Sequence, residues 1–322
     1  MAELIILYSQ HRPEVINEMA RYLRNCDLLI TEDAPSKLFQ DMLSRTATIE
    51  DYLQSTEIEY PEFGRRLCRL WRHLHDTGIP VVQVEPFVET LLDIHNFFAD
   101  GGKGHNIPVD SLRYQVYLAE KEATAALLNF YQSASGGNFQ TIVKATRRFA
   151  MFDARRFALR DQLRAHAIVE LCTNYKRVCI EAGQMHQALG RYLRSNLPAG
   201  HQIKPVFLIR RALGMLKHKC HLFSPGDLLT LHEIFHPGRS RERHNLLAAR
   251  ALIYNKIVIK EEMLPGETRY PHALDEVQCI TRVNRLSYDE CRELFEPMRH
   301  SSTRQARSVL LDHLNRSGRG AG

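Results

Sequence analysis

The sequence predicts an α/β protein with a central, mostly parallel β-sheet flanked by helices. Short apolar, β-rich runs alternate along the chain with segments whose apolar residues recur at helical spacing. The runs are apolar almost throughout, as strands buried on both faces must be. The composition, 44% hydrophobic and 25% charged over 322 residues, is that of an ordinary globular protein of one large or two smaller domains.

Three strands are predicted in the first 90 residues. They are the runs ELIILY (3–8), CDLLITED (26–33) and IPVVQVEP (79–86). Segments with helical spacing, at 13–24 and 62–76, separate them. Strands that alternate with helices are joined by parallel crossovers, so these three belong in one parallel sheet.

The middle of the chain, from about 87 to 170, reads as helical, with breaks at GGKGHNIP (101–108) and SASGGN (133–138). The β pattern returns at RVCIEAG (177–183) and KPVFLIR (204–210). Beyond residue 214 the pattern is mostly helical.

These patterns predict three regions. Residues 1–212 form an α/β domain with a helical insertion around 87–170, and residues 213–314 form a helical region packed on it. Residues 315–322 are small and charged, which predicts a disordered tail.

Polar side chains follow the ends of four predicted strands. Because the carboxyl ends of parallel strands meet at one edge of a sheet, these side chains are expected to converge there. They are His11 after the first strand, Glu32 and Asp33 after the second, Glu85 in the third, and Glu181 and His186 in and after the fourth.

The arrangement Gly183-x-x-His186 has its own physical logic. Glycine lets the chain leave the strand sharply, and the histidine then falls in the first turn of a helix. A histidine there can ligate a metal through one nitrogen while a neighbouring acceptor fixes the other, or it can act as a base on water. Glu32 would complete a His/Glu set suited to either role.

The same residues carry a resemblance to a family. A first strand followed by His11, a second followed by Glu32, the pair Arg160-Asp161 on a helix and then Gly183-x-x-His186 resemble the erythromycin esterase/ChaN-like superfamily with its TraB/PrgY and TIKI relatives. The resemblance covers roughly residues 3–210. It departs at Tyr8, where the family usually has a glycine three residues before the first histidine.

This resemblance implies a site lined by His11, Glu32, Arg160 and His186. It implies a hydrolase that attacks an ester or amide bond with activated water, with a divalent metal (Zn, Mn or Co) at His11, Glu32 and His186. Its branches differ in chemistry, so a non-catalytic protein that binds haem or a metal is the alternative.

A second motif competes for attention. His232-Glu233-x-x-His236 matches the zincin signature, in which two histidines bind zinc and the glutamate is the general base. Pro237 follows at once and disfavours helical geometry at His236. The segment is therefore predicted to be the end of a capped helix rather than a zinc site.

Arginines provide the third alternative. Arg156, Arg160 and Arg164 are spaced by four residues and would form a basic stripe on one helix face. Such a stripe could bind an anion or a nucleic acid, although it is more often a solvated face. The net charge of +6 is too small for a dedicated nucleic-acid binder.

The expected partner is a small-molecule or peptide substrate, with no nucleic acid and no membrane, and the oligomeric state stays open. Seven scattered cysteines without a CxxC, and an amino terminus unlike a signal peptide, predict a cytoplasmic protein.

Overall fold

The computed structural model describes residues 2–56, 58–172, 174–218 and 222–318. It confirms the α/β prediction, because the five strands of the described chain form one parallel sheet with helices around it. The strands are Glu3–Ser9 (β1), Leu28–Thr31 (β2), Val81–Gln83 (β3), Arg177–Gly183 (β4) and Gln202–Phe207 (β5). Their order across the sheet is β3-β2-β4-β1-β5.

The register aligns the ends of the two central strands. β1 pairs with β4 so that Leu7 lies opposite Glu181 and Ser9 opposite Gly183. Side chains of both strands, such as Ile6 and Ile180, are completely buried. This burial on both faces explains why the strands are apolar at nearly every position.

Most of the rest of the described chain is helical. Several helices are capped by a serine or threonine whose side chain accepts a backbone N–H, as at Ser36, Thr48 and Ser224. The helices are Ile16–Leu23 (α1), Lys37–Leu43 (α2), Ile49–Ser55 (α3), Pro61–Asp76 (α4), Pro86–Ala99 (α5), Leu112–Gly136 (α6), Phe139–Cys172 (α7), Leu189–Asn196 (α8), Arg210–Met215 (α9), Pro225–Phe235 (α10), Arg241–Ile257 (α11), Pro271–Val283 (α12), Tyr288–Met298 (α13) and Thr303–Arg316 (α14).

The chain groups into two compact units. The first consists of residues 1–119, 156–215 and 261–269 and contains the sheet. The second, helical unit consists of residues 120–155, 216–260 and 270–322. Residues 120–155, which the sequence assigned to an insertion in the first domain, thus group with the second unit.

The carboxyl terminus is helical further than expected. α14 continues to Arg316, so Asn315 and Arg316 are not part of a disordered tail, while residues 319–322 lie outside the described chain. No helix among the described residues is both long and apolar enough to cross a membrane.

Candidate functional site at the carboxyl edge of the sheet

The loops after β1, β2 and β4 bring His11, Glu32 and His186 to one place. His186 Nε2 lies 2.8 Å from Glu32 Oε1, and the Gly183 N–H donates to Glu32 Oε2. A Cβ added to Gly183 would lie 3.4 Å from both Glu32 Oε2 and His11 Cε1. An added Cβ would thus be in ordinary van der Waals contact with both side chains, which shows that Glu32 and His11 approach Gly183 from the same side.

His186 is held between two carboxylates. Its Nδ1 lies 2.5 Å from Asp161 Oδ1, and Asp161 Oδ2 accepts the Leu189 N–H at 2.9 Å. Burial lowers the pKa of His186, but Glu32 and Asp161 outweigh this and raise the pKa to about 9. At neutral pH His186 is therefore an imidazolium whose two N–H groups both donate to carboxylates.

Glu32 remains ionised despite its burial. Burial raises the pKa of Glu32, but the charge and hydrogen bond of His186, together with Arg164, bring it well below its ordinary value. Asp161 completes this network from α7. The sequence offered Asp161 only as half of the Arg160-Asp161 pair, and its role as the partner of His186 was missed.

The arginine stripe faces the interior, so its interpretation as a solvated face is wrong for Arg160 and Arg164. Arg164 is completely buried and donates to the Val84 carbonyl at 2.9 Å and the Glu181 carbonyl at 2.6 Å. Arg160 Nη2 lies 3.3 Å from Glu85 Oε2 and 3.7 Å from Glu32 Oε1. These guanidinium groups compensate the buried carboxylates.

A cavity of about 420 Å³ opens beside Glu32 in the first unit. His11 and Gln10 line it from the loop after β1. Its wall also includes the carboxyl groups of Glu32, Asp33, Glu59 and Glu181, the guanidinium of Arg12 and the rings of Tyr52, Tyr60, Phe63 and Trp71. His186, Arg160 and Glu85 are not part of this lining; His186 and Arg160 lie within ion-pair distance of Glu32, which is.

His11 differs from His186 in that no group of the described residues occupies its ring nitrogens. Its backbone has φ +54°, in the left-handed region, and its N–H donates to Ser9 Oγ at 2.9 Å. Its ring lies 5.6 Å from the ring of Phe63. Burial lowers the pKa of His11, against an opposing effect of Glu32, so the imidazole is neutral at pH 7. Neither ring nitrogen has a hydrogen-bond partner in the part of the chain that the structure describes.

The secondary candidates divide between the cavity and its surroundings. Burial raises the pKa of Glu181 to about 8 and that of Asp33 to about 6, with neighbouring carboxylates adding to both shifts. Glu181 Oε2 is buried and has no hydrogen-bond partner. Glu85 is completely buried against Arg160 outside the lining.

The residues predicted as metal ligands do not fit a divalent metal in this arrangement. Both nitrogens of His186 are directed at carboxylates, and both oxygens of Glu32 have protein donors. Across the described residues no cluster of three or more His, Cys, Asp or Glu side chains is arranged to hold a metal ion. His11 offers a nitrogen for a haem, but the surrounding carboxyl groups would disfavour the propionates.

The zincin motif lies in the second unit. α10 ends at Phe235, and His236 is an exposed C-cap. Glu233 Oε1 lies 3.0 Å from His244 Nδ1, so the predicted general base is paired. The rings of His232 and His236 are nearly perpendicular, with centroids 6.4 Å apart. Within the described residues they are not part of any cluster of side chains that could hold a metal ion.

Comparison with known proteins adds one relative. An uncharacterized protein of Archaeoglobus fulgidus is 28% identical over 291 residues, which cover 90% of this chain and 97% of that protein. No family model and no solved structure matches the chain. The similarity extends over both units.

Proposed function

We propose that the protein hydrolyses an ester or amide bond, with His11 as the general base. The observation that supports this proposal is that His11, a neutral imidazole whose ring nitrogens have no hydrogen-bond partner among the described residues, lines a cavity beside an ionised carboxylate. A base near neutral pH needs a free nitrogen, and His186 does not have one.

In the proposed reaction His11 takes a proton from a water molecule while the oxygen of that water attacks the carbonyl carbon of the substrate. The resulting tetrahedral intermediate collapses when the bond to the alcohol or amine breaks, and the proton passes from His11 to that leaving group. Glu32 lies beside the ring and stabilises the imidazolium that forms. His186 and Arg160 are positioning residues, since they lie within ion-pair distance of Glu32 and are not part of the cavity lining. Asp161 is a positioning residue one step further away, since it holds His186.

The resemblance to the erythromycin esterase/ChaN-like superfamily supports the same proposal. We also propose a cytoplasmic location, which the scattered cysteines without a CxxC favour. The alternative of a haem-binding protein of this fold depends on the same nitrogen of His11. An anion-binding role for the arginine stripe has less support, because Arg160 and Arg164 are committed to buried carboxylates and carbonyls.

The test is hydrolysis of 4-nitrophenyl acetate, butyrate and octanoate and of acyl 4-nitroanilides. We expect His11→Ala to lower the rate about 10²- to 10⁴-fold. His73→Ala, which removes an exposed histidine on α4, should leave the rate unchanged. No hydrolysis by the wild type, or equal rates in His11→Ala, would overturn the proposal. A saturable Soret band with hemin that His11→Ala abolishes would favour the haem alternative.

A further inference from the structure

The cavity beside His11 contains buried polar atoms without partners. Among the described residues Glu181 Oε2 and Gln10 Oε1 have no hydrogen-bond partner, and both residues line the cavity. Gln10 Oε1 is an acceptor, and the Glu181 carboxyl group becomes one on both oxygens when it ionises, at a pKa of about 8. Trp71 Nε1, on the same wall, is a donor without an acceptor. Buried polar groups are normally paired, so these atoms indicate a ligand that brings N–H donors to one end of the cavity and an acceptor to another.

The charge of the wall indicates which donors these are. The charge of Glu32 is matched by His186 and Arg164. Once Glu181 is ionised, the other carboxylates of the lining, those of Asp33, Glu59 and Glu181, outnumber its guanidinium, that of Arg12. The rings of Tyr52, Phe63 and Trp71 add aromatic surface, which attracts cations.

One cation of the chain already uses this kind of surface. The Arg12 guanidinium carbon lies 4.0 Å from the centroid of the Tyr60 ring, and both residues line the cavity. The wall therefore combines aromatic and carboxylate groups in the manner of sites that recognise organic cations.

We propose that the substrate carries a primary ammonium or guanidinium group, which donates to Glu181 and Gln10 while the scissile carbonyl lies at His11. This inference rests on the proposed hydrolytic function, since it names the substrate class of the same cavity. Trp71 Nε1 would then donate to an oxygen elsewhere on the substrate.

Binding can be measured without any reaction, because Trp71 is the single tryptophan of the 322 residues and lines the cavity. The probes are n-pentylammonium, 1-pentanol and hexanoate, which share an alkyl chain and differ in the charge of the head group. The titration is done at pH 8.5, where Glu181 with its pKa of about 8 is mostly ionised and the alkylammonium is still charged.

We expect n-pentylammonium to change the Trp71 fluorescence saturably and to bind about tenfold more tightly than 1-pentanol, with hexanoate the weakest. Glu181→Gln should remove most of this preference, while Asp110→Asn, which neutralises an exposed carboxylate outside the cavity, should keep it. Equal binding of the three probes, or an unchanged preference in Glu181→Gln, would overturn the inference. The comparison of the three probes needs no variant, so it stands even if Glu181→Gln does not fold.

A second comparison separates this inference from the proposed function. The 4-nitroanilides of 6-aminohexanoic and heptanoic acid differ in an ammonium against a methyl group. Equal hydrolysis of both would contradict the cation preference and keep the hydrolase. Tight binding of n-pentylammonium without hydrolysis of either would keep the cation site and contradict the hydrolase.

Discussion

Glu32 is the residue whose carboxylate contacts the other groups of the site. It accepts from the Gly183 N–H and from His186, and Arg164 Nη1 lies 3.8 Å away. An ionised carboxylate is expensive to bury unless it is paired and hydrogen-bonded. Both ring nitrogens of His186 are thereby paired with carboxylates, whereas those of His11 have no hydrogen-bond partner among the described residues.

The backbone of His11 provides a prediction about stability. Its φ of +54° is strained for a residue with a Cβ, so His11→Gly should be more stable than His11→Ala by about 1 kcal/mol. At Gln184, which has no positive φ, the order should reverse. Glycine has more conformational freedom in the unfolded chain than alanine, and losing it on folding costs about 0.5–1 kcal/mol more. Urea unfolding of the four variants measures this, and the same order at both positions would contradict it.

The raised pKa of Glu181 leads to a prediction about how the free energy of unfolding depends on pH. Its pKa is about 8 in the folded protein against 4.5 ordinarily, so between these values the folded state holds a proton that the unfolded state has lost. Stability therefore falls as pH rises from about 4.5 to 8, by up to about 1.4 kcal/mol per pH unit for one proton.

Glu181→Gln removes this titration, so its free energy of unfolding should fall less between pH 5 and pH 8 than that of the wild type. His186, whose pKa is raised to about 9, adds a loss from about 6.5 to 9 in both proteins. Urea unfolding at pH 5, 6.5 and 8 gives the comparison. Parallel curves for the two proteins would show that Glu181 does not hold its proton.

At this scale the sequence predicts where residues lie better than what they do. His11 and His186 both follow a strand, and the end of a strand suffices to place them at the sheet edge. Their different protonation depends on Asp161, which reaches His186 only through the packing of α7. No local pattern around His186 contains that contact.

Among the elements, α7 contributes Arg160, Asp161 and Arg164 to the site at the edge of the sheet. Arg164 on this helix donates to the carbonyl of Val84, just after β3, and to that of Glu181 in β4. β2, which Glu32 follows, lies between these two strands. The guanidinium of Arg164 is therefore hydrogen-bonded to the backbone on both sides of β2. This contact fixes the edge on which the cavity is built.

Replacing Arg164 with lysine keeps the charge but removes the planar group that reaches both carbonyls. We expect Arg164→Lys to lower the free energy of unfolding by about 2–4 kcal/mol, since it leaves buried polar groups without partners. Arg155→Lys, on the same helix with a side chain 61% exposed, should stay within about 0.5 kcal/mol of the wild type. Urea unfolding of both proteins checks this, and similar small losses would mean that Arg164 does not join the strands.

The central strands were predictable because buried parallel strands are apolar at nearly every position, which leaves a pattern in the sequence itself. The environment of the arginine stripe was not predictable, since arginines spaced by four residues occur both on a solvated helix face and on a face that covers carboxylates. Only the position of Arg160 beside Glu85 and Glu32 decides between them.

At the scale of the whole molecule, the chain passes repeatedly between its two units. Residues 120–155 group with 216–260 and 270–322, although 156–215 belong to the unit with the sheet. Within the second unit the ring of Phe139 lies 5.4 Å from Tyr288 and 5.5 Å from Phe295. A sequence pattern shows where helices begin and end but not which distant helices they pack against, so the predicted boundary at residue 212 did not include this grouping.

This grouping predicts the behaviour of a chain cut at the predicted boundary. A protein of residues 1–212 would retain 120–155 but lose Tyr288 and Phe295, which lie against the buried ring of Phe139, and the rest of the second unit with them. Because exposed apolar patches promote association, we expect it to aggregate in size-exclusion chromatography and to bind the dye ANS, unlike the full-length protein. A monomeric protein of residues 1–212 with cooperative unfolding would instead show that the predicted α/β domain folds alone.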